Sequence, residues 1–377
     1  MFDVFKNRLE IAGILTTVTA LRISQGRSLE PIGSDLPVVK DALGHPLIPG
    51  SSFKGAMRSR LESFLRGILG NDSKLVEKPE LARKLVANPA NEAEWAVTAD
   101  ESKTLKNMTF EESIRFCWAR DPDKQVAQPE QDDFLELPFN RLSKIIQLKS
   151  DLEAGRSLPP LKDLEHPEDL EYLDEFPESQ DLEELKKKYA THDAAITKAI
   201  DSETDLVSKV FGSPWISSKF QVQDLTVLPD DWFGQYQERD GVAIDRDTET
   251  AAEGKLYDFQ VVPAGTPFQF RAIVENAEDW ELGLLMIGLH QFESEQIPLG
   301  GGRSRGLGVV KLALTDVWWV DYPEDRPEEL LTYLQRLVAG QKDEHYKLSA
   351  ESFNAYKTDW ADALMDYLTP NASLQEA

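Results

Sequence analysis

The chain has 377 residues, 41% of them hydrophobic and 29% charged, and its 41 Lys and Arg face 67 Asp and Glu for a net charge of −26. That length accommodates one elaborated domain or two, and either buries a sizeable core. One cysteine, Cys117, excludes a disulfide framework and a cysteine-based zinc site.

No apolar run approaches the roughly 20 residues that span a bilayer. Residues 1–21 carry Asp3 and Glu10 and lack the apolar block of a signal peptide, so the expected location is cytoplasmic, with no membrane partner. The charge is uneven: residues 1–120 carry +2, residues 121–205 carry −13, residues 206–315 carry −7 and residues 316–377 carry −8. A chain this acidic does not attract nucleic acid through its global field, so any such binding needs a local basic site.

Residues 8–23 alternate apolar and threonine side chains and read as a strand interrupted at Gly13, or as two short strands. Residues 24–50 are rich in Gly, Pro and Ser and read as a loop. A helix is predicted over 53–68, where Phe53, Met57, Leu61, Phe64, Leu65 and Ile68 recur at helical spacing, with Ser51 and Ser52 as candidate N-caps. Residues 121–205 alternate acid, proline and short helical patches, and read as an acidic insertion with flexible joints, outside the core. Residues 210–228 return to a β-rich pattern. Phe268, Phe270, Ala272 and Val274 mark one face of a strand over 268–276, and a helix follows over 279–293. A glycine loop, LGGGRSRGLG (299–308), leads to a closing strand over 309–320, and the last fifty residues or so read as helical from Pro327. No fixed-period repeat is present. The order strand, helix, strands, helix, strand suggests an α+β sandwich and fits a ferredoxin-like core.

Two segments carry anion-binding chemistry. A helix N-terminus offers free N–H groups and a partial positive charge, so cations are unfavourable there. The helix at Ser51 and Ser52 nevertheless places Lys54 and Arg58 one turn apart near its start, which makes sense if a phosphate sits on the helix end. A solvated basic face is the competing explanation. In the loop Gly300–Gly306, Gly301 and Gly302 let a backbone approach a ligand, and Arg303 and Arg305 supply charge. The loop is neither a phosphate-binding P-loop nor a dinucleotide fingerprint. An RNA backbone is one candidate ligand, and a tight helix-to-strand turn is the alternative. Asp35, in a Gly/Pro loop, reads from spacing alone as a turn former. The histidines, His45, His166, His192, His290 and His345, form no metal-ligand motif. Cys117 lies in an apolar context and is expected to pack. Trp215, Phe220, Trp232 and Phe233 are candidates for base stacking, with core packing as the alternative.

Four segments in order then resemble one family. IGSDLPVVKDALGHPLIPGSSFKGAMRSRLE (32–62), VFGSPW (210–215), residues 239–270 and LGGGRSRGLG (299–308) resemble signatures of the RAMP proteins of type III CRISPR systems, closest to the repeated backbone subunit that coats the guide portion of crRNA. The resemblance covers roughly 1–120 and 206–320. It implies an RRM-like, ferredoxin-type palm over those two stretches, a thumb β-hairpin near 240–257, a large acidic insertion at 121–205 and a helical C-terminal extension at 321–377. The insertion resembles that of the type III-D variant and is expected to contact a neighbouring subunit or flank the target channel. The resemblance further implies that Ser51, Ser52, Lys54 and Arg58, with Gly301, Gly302, Arg303 and Arg305, hold guide RNA. It implies that Asp35 orients the target 2′-hydroxyl, or holds Mg2+ or another divalent cation. Cleavage between guide-paired segments would then leave a 2′,3′-cyclic phosphate and a 5′-hydroxyl. The partners implied are crRNA, complementary target RNA and other effector subunits, including neighbouring RAMP proteins.

The alternative within the same complex is a structural crRNA-binding subunit without cleavage. A crRNA-processing ribonuclease would need a histidine-centred site near the N-terminus, where only His45 is available. A stand-alone metabolic enzyme has no motif in its favour.

Overall fold

A computed structural model describes residues 5–24, 26, 36–69, 86–91, 95, 97–120, 134, 137–160, 164–177, 182, 186–187, 191–244, 251–322 and 326–373. The elements are, in chain order, β1 (Asn7–Thr17), β2 (Leu47–Ile48), α1 (Gly50–Leu69), α2 (Ala99–Asn107), α3 (Phe110–Ala119), α4 (Phe139–Glu153), α5 (His192–Glu203) and α6 (Leu206–Phe211). They continue with β3 (Phe220–Val222), β4 (Leu225–Thr226), β5 (Gln237–Ile244), β6 (Ala251–Val261), β7 (Pro267–Glu275), α7 (Asp279–Glu293), β8 (Val310–Asp321), α8 (Pro327–Val338), α9 (Lys342–Tyr346) and α10 (Ala350–Ser373). The chain divides into two compact units, Met1–Phe64 with Lys219–Ala377, and Leu65–Ser218.

In the first unit a four-stranded antiparallel sheet has the order β3-β7-β1-β8. With α1 after β1 and α7 after β7, this is the β-α-β-β-α-β arrangement of a ferredoxin-like core. The alternation read from sequence holds on β7, where Phe268, Phe270, Ala272 and Val274 are all buried. β1 is one continuous strand. Its irregularity at Gly13 is a register shift between Ala12 and Gly13 against β8, and glycine is required because a Cβ there would collide with the Ala313 backbone. On the sheet's helix-covered face, the Phe53 ring lies 5.0 Å from Phe270 and stacks on Phe292 at 4.2 Å, which locks α1 and α7 to the strands. Phe53, Met57, Leu61 and Leu65 are buried as the helical spacing predicts, whereas Phe64 and Ile68 are exposed. α10 covers α7, with Trp280 and Tyr367 stacked at 4.4 Å. Beneath these helices Lys219 donates to both carboxylate oxygens of Glu281 at 2.8 and 2.6 Å, a buried ion pair. β5 and β6 pair antiparallel as a separate two-stranded ribbon, from Gln237↔Val261 to Ile244↔Ala251.

The second unit has its own core. Ile114, Phe116 and Cys117 of α3 pack with Phe139, Leu142, Ile145 and Ile146 of α4 and with Ala195 and Ala199 of α5. Its acids do structural work. Glu101 and Glu112 complete capping boxes with Thr98 and Thr109, and Asp205 accepts the Ser208 N–H. Glu203 receives the buried Arg120 at 2.6 Å, and Arg120 also donates to the carbonyls of Phe134 and Leu137. The reading of 121–205 as modest helices with flexible joints and not a core element is corrected in this respect, because α4 and α5 supply central side chains to this unit's own core. The boundaries of the compact units fall after Phe64 and Ser218, where the sequence reading set them after 120 and 205. Among the described residues no helix is long and apolar enough to cross a membrane.

Candidate nucleic-acid interface

The start of α1 is built by strand pairing far along the chain. β2 pairs with β4, Leu47↔Thr226 and Ile48↔Leu225, and this brings Asp224 to the helix end. The Gly50 N–H donates to Asp224 Oδ1 at 2.8 Å. The helix therefore begins at Gly50, and Ser51 and Ser52 lie inside its first turn instead of capping it. Their expected capping role is taken by Asp224. Gly50 packs so closely on the Val222 and Gln223 carbonyls that a Cβ would not fit. The Ser52 and Phe53 N–H groups turn back to the Pro49 carbonyl at 2.9 and 3.3 Å, and the Ser51 N–H has no partner among the described residues. No acidic residue occupies the first turn.

Lys54 is half-buried beside this end. Burial, with the Arg58 charge one turn on, pushes its pKa down to about 8. Arg58 Nε donates to Glu62 Oε1 at 2.8 Å, so part of its guanidinium is held by the helix itself. Both burial and the like charge of Arg58 disfavour the charged form of Lys54. An arriving anion would relieve that cost.

The glycine loop is a tight helix-to-strand connection with an exposed cationic tip. A single 3-10 turn over Arg303–Arg305 is flanked by Gly302 and Gly306, both left-handed at φ 79° and 80°. Gly300, at φ 73°, lies against the Arg22 carbonyl with no room for a Cβ, and the Gly301 N–H donates to that carbonyl at 2.8 Å. The Gly308 N–H donates to the Ala20 carbonyl at 2.9 Å. Arg303 Nε bonds back to the Gly300 carbonyl at 3.1 Å, and Arg305 donates to the Tyr257 hydroxyl at 3.0 Å. That bond, with the nearby Arg22 charge, draws the Tyr257 phenol below its ordinary pKa.

Arg22 and Tyr257 are additions that sequence reasoning missed. The Arg22 guanidinium lies 4.6 Å above the Phe259 ring. Arg22 sits in no motif and Tyr257 was singled out by none, although it lies within the 239–270 signature; their proximity to the glycine loop arises only in the fold, through the Gly301–Arg22 and Arg305–Tyr257 bonds. A small core of Ala20, Phe259, Val261 and Leu307, with Leu36 and Tyr257 against it, ties the loop to the ribbon.

Asp35 lies outside the described residues. Its neighbour Leu36 is fixed on β6: the Leu36 N–H donates to the Asp258 carbonyl at 3.2 Å, and the Gln260 N–H donates to the Leu36 carbonyl at 3.1 Å. The start of α1 and the glycine loop are joined by backbone bonds. Gly301 bonds Arg22, Val39 bonds Ile23 at 2.8 Å, and Leu47 bonds Val39 at 3.1 Å, three residues before Gly50.

Of the candidate stacking aromatics, Phe220 is fully buried in the sheet, and Trp215 donates its indole N–H to the Val97 carbonyl. Trp232 and Phe233 stack on each other at 5.5 Å beside Tyr236, with Phe233 exposed, and Lys40 lies 4.3 Å above the Tyr236 ring. Cys117 is buried, with its thiol donating to the Ala195 carbonyl. Among the described residues no group of three or more His, Cys, Asp or Glu gathers as a metal site.

A ferredoxin-like palm with a glycine loop before its last strand and a cationic helix start after its first defines a class. Residues 14–311 match the model of the RAMP superfamily, and the chain belongs to that superfamily. The chain is also similar over part of its length to proteins named CRISPR system Cms endoribonuclease Csm3. The Mycobacterium tuberculosis protein is 46% identical over 56 residues, 14% of this chain and 24% of that protein. The Enterococcus italicus protein is 38% identical over 79 residues, 20% of this chain and 37% of that protein. The matched stretches thus span well under half the length of these relatives.

Proposed function

We propose that the chain is a backbone subunit of a type III CRISPR ribonucleoprotein, of the insertion-bearing type III-D kind, that binds crRNA and cleaves complementary target RNA. The observation that carries this reading is the convergence of the glycine loop, β6 and Leu36 on one hydrogen-bonded cluster. The guide backbone would run over Ser51, Ser52, Lys54 and Arg58, and over Gly301, Gly302, Arg303 and Arg305. The β5–β6 ribbon would act as the thumb that parts guide from target.

Asp35 would accept the proton of the target 2′-hydroxyl. The 2′-oxygen then forms a bond to the adjacent phosphorus while the bond to the 5′-oxygen breaks and that oxygen takes up a proton from water, giving a 2′,3′-cyclic phosphate and a 5′-hydroxyl. No described set of three ligands would hold a metal. The proposed divalent requirement, Mg2+ or another divalent cation, would have Asp35 as a candidate protein ligand, with RNA phosphates able to supply further oxygens.

The test compares wild type with Asp35→Ala in the assembled complex, using labelled complementary RNA with Mg2+. The expected result is loss of one cleavage product with target binding retained. Survival of every product refutes the cleavage assignment and leaves a structural crRNA-binding subunit.

A further inference from the structure

On the first unit, β8, α8, α9 and α10 surround a cavity of about 610 Å3, a volume within the roughly 300–1,000 Å3 of ligand pockets. One wall is aromatic: Tyr356 stacks on Trp360 at 5.3 Å, and Trp319 meets Trp360 edge-on at 5.3 Å. The opposite wall carries Tyr322, whose hydroxyl donates to that of Tyr346 at 3.2 Å. Carboxylates of Asp279, Asp321, Glu329 and Asp359 reach the same cavity against one lining cation, Arg336, which is engaged with the Tyr346 hydroxyl. Glu329 pairs with Arg326, but among the described residues Asp279, Asp321 and Asp359 have no ion pair. Burial, reinforced by Asp279, holds the Asp321 carboxyl above its ordinary pKa.

The helix that lines this cavity also bears an apolar stripe facing outward. Leu330 and Tyr333 of α8 pack inward with Val320 and Tyr322. Leu331 and Leu334, one turn apart, are 63% and 49% exposed, and Val338 one turn on is 92% exposed. An apolar row beside a charged cavity is the signature of a protein-docking surface. The surplus of carboxylates repels phosphate, so this face suits a cationic partner and not RNA.

We infer that this face docks a protein partner that inserts an arginine side chain into the cavity while its flanking apolar side chains cover Leu331, Leu334 and Val338. A planar guanidinium stacks on aromatic faces and pairs with carboxylates through its fork of donors, which an ammonium does not match. These residues lie outside the glycine loop and the start of α1, so this inference and the RNA-binding reading can fail separately.

The test titrates the full chain with the peptide acetyl-Leu-Arg-Leu-Leu-amide and its citrulline and lysine counterparts, followed by calorimetry. Citrulline keeps the shape and removes the charge. Arginine-peptide binding is expected to exceed citrulline binding by about tenfold or more, the scale of one charge pair. The double variant Asp321→Asn/Asp359→Asn should lose a similar factor, and Leu334→Asp should weaken binding with unchanged melting temperature and RNA affinity. Absence of binding, equal binding of the citrulline or lysine peptide, or indifference to these substitutions overturns the inference. A dimer abolished by Leu334→Asp, without peptide binding, assigns the face to a second copy and also overturns it.

Discussion

Raising the pH from about 7 to about 9 is expected to loosen RNA from the wild-type chain, and Lys54→Arg is expected to remove most of that dependence. Lys54 is pushed down to about 8 by its burial and by Arg58. Its protonated fraction therefore falls from roughly nine-tenths at about pH 7 to roughly one-tenth at about pH 9. If a bound phosphate keeps the ammonium charged, affinity falls by up to about tenfold, or about 1.4 kcal/mol, over that interval. Folding has the opposite sign. The unfolded chain holds its lysine proton up to about 10.5, so between about 8 and 10.5 it binds more protons at this site, and the Lys54 contribution to stability rises with pH. Anisotropy of a labelled guide-like RNA across this range, beside thermal melts, separates the two effects. An arginine at this position stays charged throughout, so it should retain affinity and flatten the binding curve. An equally steep curve in Lys54→Arg would refute the assignment of Lys54 as the titrating phosphate contact.

Two further substitutions probe the frame that holds the site. Gly300→Ala forces a Cβ onto the Arg22 carbonyl at a left-handed φ of 73°. It should cost about 1–2 kcal/mol from the backbone conformation alone, seen as a lower melting temperature with weakened RNA binding; unchanged values for both would show that the loop adapts without cost. Lys219→Met leaves Glu281 buried without its cation and should cost about 3–5 kcal/mol in denaturant unfolding near neutral pH. Burial already raises the Glu281 pKa, and removing Lys219 raises it further. The folded variant then holds a proton that the unfolded chain releases, so its stability is lost as pH rises through the carboxylate range. A deficit that is larger at about pH 8 than at about pH 5 is the expected signature.

What sequence made legible follows from which interactions are local. β7 announced itself because every second residue, from Phe268 to Val274, faces one core. α1 did so through Phe53, Met57, Leu61 and Leu65, although periodicity could not say where the covering core ends, and Phe64 and Ile68 emerge into solvent. The helix cap was misassigned because Asp224 is 174 residues from Gly50, and only the β2–β4 pairing joins them. The second unit was hidden for a related reason. Phe116, Phe139, Ile145 and Ala195 are spread among acidic residues, and no single segment there is rich enough in apolar side chains to declare a core. Several acids that gave the region its disordered composition, such as Glu203 and Asp169, are buried and paired with Arg120 and Arg141.

The glycine loop shows why a motif can be right in kind and incomplete in content. Its spacing identified the cations, and Arg303 and Arg305 do stand exposed at the tip of the turn. The sequence could not show what limits their freedom. Gly300 and Gly308 are clamped to Arg22 and Leu299 at the base, the Tyr257 hydroxyl holds Arg305, and Leu307 roots the turn in the same small core as Phe259. A loop fixed in this way presents charge from a rigid frame, so under the proposed function little ordering entropy would be lost on binding a phosphate. The same β6 strand that anchors Tyr257 also hydrogen-bonds Leu36, so the backbone beside Asp35 and the arginine tip are referenced to one ribbon. If the proposed function holds, a movement of β6 that shifts a guide contact would also pull on the chain at Leu36, next to Asp35. That coupling would be a mechanical reason for RNA seating and the position of the acid to be set together.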